Sequence, residues 1–196
     1  MPTVKGLGNI PSPYHHLTFS SYNVISPRDP NLEGRISPND LNCAISAPNA
    51  LIGSHDQKDS DAKASFQIED EDAMVEDGFG PYFDLLSFYI KPMDAPPPGS
   101  TVFVKGYSHW RKEPLEWNVD FITGYHLPLL VKIEQYSGES WSRLHKVEMW
   151  ADYGDDALDW EFCIDDLQVR FYRDTEVKKE GHGGVEQVVL GGGMEA

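Results

Sequence analysis

The chain has 196 residues, of which 32 are acidic and 16 basic, giving a formal net charge of −16. Such an acidic field repels phosphate backbones and anionic lipid surfaces, so we expect neither nucleic acid nor a membrane as a partner. No apolar run approaches the roughly 20 residues that a membrane-spanning helix needs. A chain of this length is expected to form one domain with a full hydrophobic core.

Short β-rich runs recur along the chain between clusters of Pro, Gly, Asn and Asp, whereas signals for long helices are nearly absent. The predicted strands cover residues 16–25, 64–69, 82–92, 101–110, 115–123, 129–136, 141–151 and 158–173. The segment "PMDAPPPGS" (92–100) separates two of them, because proline lacks the donor that a sheet requires. About eight strands at this spacing predict an antiparallel β-sandwich.

The segments outside these strands have distinct compositions. Residues 1–13 are predicted to be an N-terminal extension, residues 14–173 the sandwich domain, and residues 174–196 a tail that is flexible or docks "VEQVVL" as an edge strand. The Pro-, Asn- and Ser-rich segment 26–63 is a long loop, and such loops are often functional. The acidic run 69–77 is interpreted as a solvated loop, with a cation site as the alternative.

The N-terminus is too polar to be the apolar centre of a signal peptide. Either the protein is intracellular or a signal peptide has been removed ahead of this sequence. We expect the second, with the protein in the secretory pathway or secreted.

The two cysteines, Cys43 and Cys163, are too far apart for a Cys-x-x-Cys redox motif or a typical zinc site. Two buried thiols and a single disulfide are both compatible with this pattern. A catalytic thiol is disfavoured, because neither cysteine lies at a helix start or beside basic residues that lower its pKa.

The runs "FDLLSFYI", "PPPGSTVFVKGY", "WSRLHKVEMWA" and "FCIDDLQVRFY" together resemble the jelly-roll β-sandwich of carbohydrate-binding modules and galactose-binding-like domains. The resemblance covers residues 14–173, and the N-terminal half is similar to a fungal variety of such domains. It implies an all-β, antiparallel jelly-roll β-sandwich in a single domain. Because this fold brings the first and last strands together, we predict a disulfide between Cys43 and Cys163.

The last strand breaks its alternation at two adjacent acids. Ile164 and Leu167 are both apolar but three residues apart, so a β-bulge is needed for both to point inward. Asp165 or Asp166 would then accept backbone N–H bonds from the crossing N-terminal segment. The alternative is a structural calcium ion, which the resemblance implies for this region.

The most suggestive segment for function is "GYSHWRKEPLEWNVDFITGYHLP" (106–128). Aromatic side chains stack on sugar rings or flat apolar ligands, and their polar tips add direction. The predicted walls of a ligand cleft are Tyr107, Trp110, Trp117 and Tyr125, and the predicted hydrogen-bonding catalytic residues are His126, His109 and Arg111. The alternative is that Trp110 and Trp117 pack against each other across a hairpin.

Two functions fit this segment, and no catalytic or phosphate-binding motif decides between them. The first is a cofactor-free cyclase of fungal secondary metabolism, of the hetero-Diels–Alder type, which orients an apolar polycyclic substrate and needs no nucleophile. We favour it, because the domain has no linker to a catalytic partner. The alternative is a non-catalytic carbohydrate-binding module or lectin. A small molecule or glycan is therefore the expected ligand, no cofactor is required, and a homodimer is left open.

Overall fold

Strands make up most of the regular structure in the computed structural model. It describes residues 6–54, 62–69, 71–76, 78–93, 99–154, 162–173 and 185–190. The strands are β1 (Leu7–Asn9), β2 (Leu17–Ser20), β3 (Tyr22–Ile25), β4 (Ala50–Gly53), β5 (Ala64–Ile68), β6 (Phe79–Pro92), β7 (Gly99–Tyr107), β8 (Leu115–Ile122), β9 (Leu129–Lys132), β10 (Lys146–Asp152), β11 (Phe162–Arg173) and β12 (Val185–Leu190). The helices are α1 (Glu71–Glu76) and α2 (Ile133–Ser137), with 3-10 turns at Pro30–Leu32 and Pro38–Asp40.

The strands form two antiparallel sheets. The first sheet has the order β1-β3-β4-β11-β6-β9, with β12 also pairing with β11, and the second has the order β2-β5-β10-β7-β8. Within them, β4-β11-β6-β9 and β5-β10-β7-β8 have the two four-stranded sheets and the strand order of a jelly roll. The prediction of an all-β, antiparallel sandwich in a single domain is therefore confirmed.

The main core lies between the inner faces of the two sheets. Its largest fully buried apolar side chains are Trp141, Phe66, Phe83, Phe88, Phe162 and Phe171. The buried inward positions of β7 and β10 alternate with outward positions that are polar except for Phe103 and Trp150, as expected for strands with one buried face. Ten of the chain's 23 aromatic residues are buried in this core.

Three strand predictions are wrong in detail. The predicted strand 141–151 begins only at Lys146, where β10 starts. The predicted strand 16–25 is divided at Ser21, whose φ of 58° sends β2 and β3 to different sheets. The predicted strand 129–136 is a strand only to Lys132, and the chain continues as α2, which is capped by Gly138 with a φ of 74°.

Three strands lie outside the eight predicted ones. β1 falls in the predicted N-terminal extension and pairs with β3, and β12 falls in the predicted tail and pairs with β11. β4 lies within the segment interpreted as a loop. All four of its residues are buried, so "ALIG" has no polar alternation to identify it.

Residues 26–49 lie against the outer face of the first sheet and form a second, smaller core there. Leu32 and Cys43 pack with Ile52 and Cys163. Lys91 of β6, which is 1% exposed, pairs with Asp40 at 2.7 Å and donates to the backbone carbonyl of Asn39 at 2.6 Å. This segment covers one half of the outer face and leaves the other half open.

A disulfide between Cys43 and Cys163 fastens this segment to β11, so the predicted pairing is confirmed. A buried disulfide is typical of proteins from an oxidising, extracellular-type environment. In the described part of the chain, no helix is long and apolar enough to cross a bilayer.

Candidate functional site

The structure does not bring the four predicted aromatic residues to one cleft. Tyr107 points to the outer face of the second sheet, because its neighbour Gly106 is buried on the inner face. Trp117 lies opposite Val104 on the inner face and packs against the main core. Tyr107 and Trp117 are therefore on opposite sides of the sheet.

Tyr107 belongs to a polar network on the second sheet. Its hydroxyl donates to Glu148 Oε2 at 2.6 Å, and Lys146 Nζ lies 2.7 Å from Glu148 Oε1. Burial and this hydrogen bond raise the pKa of Tyr107. Burial opposes the ionisation of Glu148, but the hydrogen bonds from Lys146 and Tyr107 outweigh it and lower the pKa of that carboxyl.

Trp117 and Tyr125 lie at the rim of the main core. The Trp117 ring meets Tyr136 of α2 edge-on at 5.9 Å, and the Tyr125 ring lies 5.2 Å from Phe121. The alternative of a Trp110–Trp117 pair is wrong, because the cross-strand partner of Trp117 is Val104.

His126 is exposed, and it lies near the segment that carries the disulfide. Its Nδ1–H donates to the carbonyl of Gly124 at 2.9 Å. Its own carbonyl accepts from the side-chain nitrogens of Asn42 at 2.8 Å and Lys91 at 3.4 Å. The backbone of His126 therefore helps to hold this segment in place.

The exposed Trp110 is the centre of an aromatic cluster at one end of the first sheet. The indole is 56% exposed, and its edge meets the Tyr82 ring at 5.2 Å. The guanidinium of Arg143 lies 5.4 Å from the Trp110 ring and 5.8 Å from the Tyr82 ring. Tyr172 lies 5.9 Å from Tyr82. We call these four residues, Tyr82, Trp110, Arg143 and Tyr172, the Trp110 cluster.

Local backbone pairing fixes Arg143 in this cluster. Residues 141–145 run beside β6, where Leu144 and Phe83 exchange backbone hydrogen bonds at 2.7 and 2.9 Å. Arg143 has a φ of 54°, a left-handed conformation that costs a non-glycine residue free energy. Its N–H donates to Asp84 Oδ1 at 3.0 Å, which helps to hold that conformation.

Asp84 is the polar centre beneath the cluster. It is only 6% exposed, and it accepts hydrogen bonds from the Arg143 N–H and the Tyr172 hydroxyl. Arg170 Nη1 lies 3.8 Å from its Oδ2. Burial and the bond to Asp84 raise the pKa of Tyr172, so its hydroxyl stays protonated and able to donate.

A groove of about 620 Å³, a volume that can hold a small ligand, lies on the first sheet beside the cluster. Its lining residues are Leu85, Leu86, Ser87, Lys132, Glu134, Gln135, Gln168, Arg170 and Gln187. Gln168, Arg170 and Tyr172 follow one another at two-residue spacing on β11, so they share the outer face. The groove and the Trp110 cluster therefore form one continuous surface, which we call the open face.

Sequence reasoning found Trp110 but missed Tyr82, Asp84, Arg143 and Tyr172. A signal existed, because polar or aromatic residues alternate with Phe83 and Leu85 in β6, and with buried apolar residues in β11. That alternation identifies an outer face, but it does not say which half of the face is covered.

His109 lies beside the cluster in a second arrangement. Its ring stacks on His145 at 4.0 Å, and its Nε2 lies 2.9 Å from Glu71 Oε1 of α1. Burial, and then the neighbouring His109, lower the pKa of His145. Arg111 forms an exposed ion pair with Glu139 at 3.0 Å, so two of the three predicted hydrogen-bonding residues, His109 and Arg111, have acidic partners.

The acid pair of β11 has the predicted structural role. The register with β6 shifts between Asp165 and Gln168, and Ile164 and Leu167 are both buried in the main core, which confirms the bulge. Asp165 Oδ2 accepts the Ser46 N–H at 2.7 Å, and the Ser46 hydroxyl donates to Asp166. These bonds fasten the crossing segment, as predicted for the hydrogen-bonding alternative.

Calcium binding by Asp165 and Asp166 stays a prediction. Across the described ranges, no three His, Cys, Asp or Glu side chains form a group that could hold a metal ion. The acidic run 69–77 is partly helical, as α1, and residues 70 and 77 lie outside the described residues.

No protein-family model and no curated protein matches the chain. Among solved structures, it is similar to the crystal structure of a DUF4465 family protein from Bacteroides caccae, with a TM-score of 0.49 and 10% sequence identity. The similarity covers 80% of this chain and 75% of that chain. A likeness of this degree carries no inference about function.

Proposed function

We propose that the protein is a non-catalytic carbohydrate-binding module whose ligand lies on the open face. The observation that carries the proposal is the exposed ring of Trp110 beside a groove lined by hydrogen-bonding side chains. Both belong to the open face of the first sheet. Stacking on an aromatic ring and hydrogen bonding to hydroxyl groups are the two interactions that a sugar offers.

The groove supports this proposal through its composition. Gln135, Gln168 and Gln187 carry amide groups, each of which can both donate to and accept from a sugar hydroxyl. Gln187 Nε2 already donates to Gln168 Oε1 at 3.2 Å, which orients both amides across the β11–β12 pair. Residues on paired strands keep their spacing, so the ligand would meet a preorganised surface.

The cyclase is the second candidate. Its predicted residues His109 and Trp110, which are consecutive in the chain, have ring centroids 6.4 Å apart. A hydrogen-bond donor beside an exposed aromatic ring suits a flat ligand that carries a carbonyl group. A cycloaddition site also needs an apolar cleft that encloses most of its substrate. The groove beside Trp110 is lined mainly by polar side chains, which favours the carbohydrate proposal.

We further propose that the protein works outside the cell or in the secretory pathway. The buried disulfide between Cys43 and Cys163 supports this, because cytosolic thiols are kept reduced.

The test of the carbohydrate proposal is a glycan array followed by calorimetric titration with the polysaccharides that bind. Trp110→Ala should weaken binding by up to about ten-fold, because an aromatic stacking contact contributes about 0.5–1.5 kcal/mol beyond its buried area. Gln168→Ala should weaken binding by a smaller factor.

The matched control is Trp150→Ala. Trp150 stacks on Phe103 at 5.0 Å on the outer face of the second sheet, so its loss should leave affinity unchanged. The absence of saturable binding to any polysaccharide, or affinity that is unaffected by Trp110→Ala, would refute the proposal. Turnover of a quinone methide and an alkene by the pure protein would support the cyclase instead.

A further inference from the structure

The open face carries cations in a chain that is otherwise strongly acidic. Arg143, Arg170 and Lys132 all lie on it, although acidic residues outnumber basic ones by 32 to 16 in the chain. Among the described residues that form this face, the acidic ones are Asp84, which is buried, and Glu134. The charge of the open face therefore differs in sign from the charge of the whole molecule.

Two of these cations have no carboxylate partner within the part of the chain that the structure describes. Lys132 and Arg143 are exposed, and neither forms an ion pair with a described acidic residue. By contrast, Lys105 and Arg111 lie 2.7 and 3.0 Å from Glu116 and Glu139. The charges of Lys132 and Arg143 are thus not offset by a described acidic side chain at ion-pair distance, unlike those of Lys105 and Arg111.

The backbone and the guanidinium of Arg143 are both positioned in a way that suits an anionic ligand. Its backbone is fixed by the bond to Asp84 and by the pairing of Leu144 with Phe83. Its guanidinium lies against the rings of Tyr82 and Trp110, so less side-chain freedom is lost when a ligand binds. A guanidinium matches the two oxygens of a carboxylate in a bidentate pair, which is stronger than a bond between neutral groups.

The guanidinium of Arg170 also has N–H groups that can donate to a ligand. Its contact with Asp84 is long, at 3.8 Å, and Asp84 already accepts from Arg143 and Tyr172. Lys132 lies across the groove on β9, where Ser87 is its partner in the register. The cations are thus spread along the open face, from the Trp110 cluster to the far wall of the groove.

We propose that the ligand of the open face is an acidic polysaccharide, whose uronic acid carboxylates are bound by Arg143, Arg170 and Lys132. This inference rests on the proposed carbohydrate-binding function. The sugar ring stacks on Trp110, the amide groups bind hydroxyls, and the cations select the carboxylates.

The net charge of −16 does not oppose this assignment at physiological salt. The Debye length is then about 8 Å, so acids on distant surfaces are screened while the cations that touch the ligand are not. A nucleic acid has no sugar ring exposed for stacking in the same way, and its denser charge is repelled more strongly.

The experiment compares polygalacturonate and alginate with fully methyl-esterified polygalacturonate, which has the same backbone without the charge. Wild-type protein should bind at least one of the acidic polymers about ten-fold more tightly than the ester. Arg143→Gln and Lys132→Gln should each lower the affinity for the acidic polymer by about three-fold, as expected for exposed ion pairs, and leave the affinity for the ester nearly unchanged.

The matched control is Arg28→Gln, because Arg28 is exposed in the loop after β3, away from the open face. Equal affinity for acid and ester, or Gln variants that bind as wild type does, overturns the acidic-ligand inference. Binding of a neutral polysaccharide that depends on Trp110 overturns it too, but leaves the proposed function standing. If no polysaccharide binds at all, both are refuted.

Discussion

At the scale of single residues, two buried carboxylates of the first sheet have different tasks. Asp84 accepts hydrogen bonds from the Arg143 N–H and the Tyr172 hydroxyl beneath the Trp110 cluster. Asp165 accepts hydrogen bonds from the N–H groups of Ser46 and Asp166 at the bulge. Both lie on the outer face of the sheet, and each is covered by different chain segments. A buried acid is therefore not by itself a sign of a ligand site.

Asp165 gives a pH-dependent prediction. Burial raises its pKa to about 6, and the N–H bonds from Ser46 and Asp166 only partly oppose this. The folded protein then binds the proton more readily than the unfolded chain, whose carboxyl has a pKa of about 3.9. The contribution of this group to stability is therefore fully present below about pH 4 and is lost as pH rises through about 6.

Asp165→Asn removes this titration, so its unfolding free energy should vary less between pH 4 and pH 7 than that of wild type. The difference in slope should reach at most about 1.4 kcal/mol per pH unit. Urea unfolding at several pH values measures it, with exposed Glu33→Gln as the control. Parallel stability curves for wild type and Asp165→Asn would contradict the prediction.

At the scale of elements, β4 shows how tightly the first sheet is packed. Gly53 pairs with Phe162 on one side and with Tyr22 on the other. A Cβ atom at Gly53 would overlap the ring of Phe162, which is 1% exposed and cannot move into solvent. Glycine is needed here for close approach of a side chain.

We expect Gly53→Ala to destabilise the protein by about 1–3 kcal/mol, as overpacking of a core usually does. Chemical denaturation followed by tryptophan fluorescence measures the change. The neighbouring Ser54→Ala, outside β4, should have an effect of less than about 0.5 kcal/mol. A Gly53→Ala protein as stable as wild type would show that the ring of Phe162 can shift.

At the scale of the whole molecule, segment 26–49 is an addition to the sandwich that decides which surface stays open. The disulfide, the Lys91–Asp40 ion pair and the bond from Ser46 to Asp165 all fasten it to the first sheet. It covers the half of the outer face that contains Cys163 and leaves the half that contains Arg170.

The disulfide should contribute strongly to stability, because it closes a loop with a sequence separation of 120 residues. In the chain-entropy treatment, a loop of this length corresponds to about 4–5 kcal/mol. The double variant Cys43→Ala/Cys163→Ala should therefore unfold at a markedly lower denaturant concentration. The Cys43→Ala single variant should show one alkylatable thiol, and wild type none; two free thiols in native wild-type protein would contradict the pairing.

Much of the fold was predictable because strand signals are local. Alternation of apolar and polar residues located β7, β8, β10 and β11 to within a few residues, and the spacing of Ile164 and Leu167 predicted the bulge. Where the alternation is missing, as in the fully buried β4, the strand was missed. Within the candidate site, the exposed Trp110 was predicted and its partners were not.

The sequence by itself determined the fold class, the bulge and the pairing of the cysteines, since periodicity and the resemblance to jelly-roll domains are properties of the chain. Only the tertiary structure decided that Tyr107 and Trp117 face opposite sides of a sheet and that Arg143 meets Tyr82 and Trp110. The physical reason is that a surface is built by residues distant in sequence. The Trp110 cluster is built from four segments, which contribute Tyr82, Trp110, Arg143 and Tyr172. Their contacts depend on the register of the paired strands and on where the segments cross one another, which no local sequence pattern specifies.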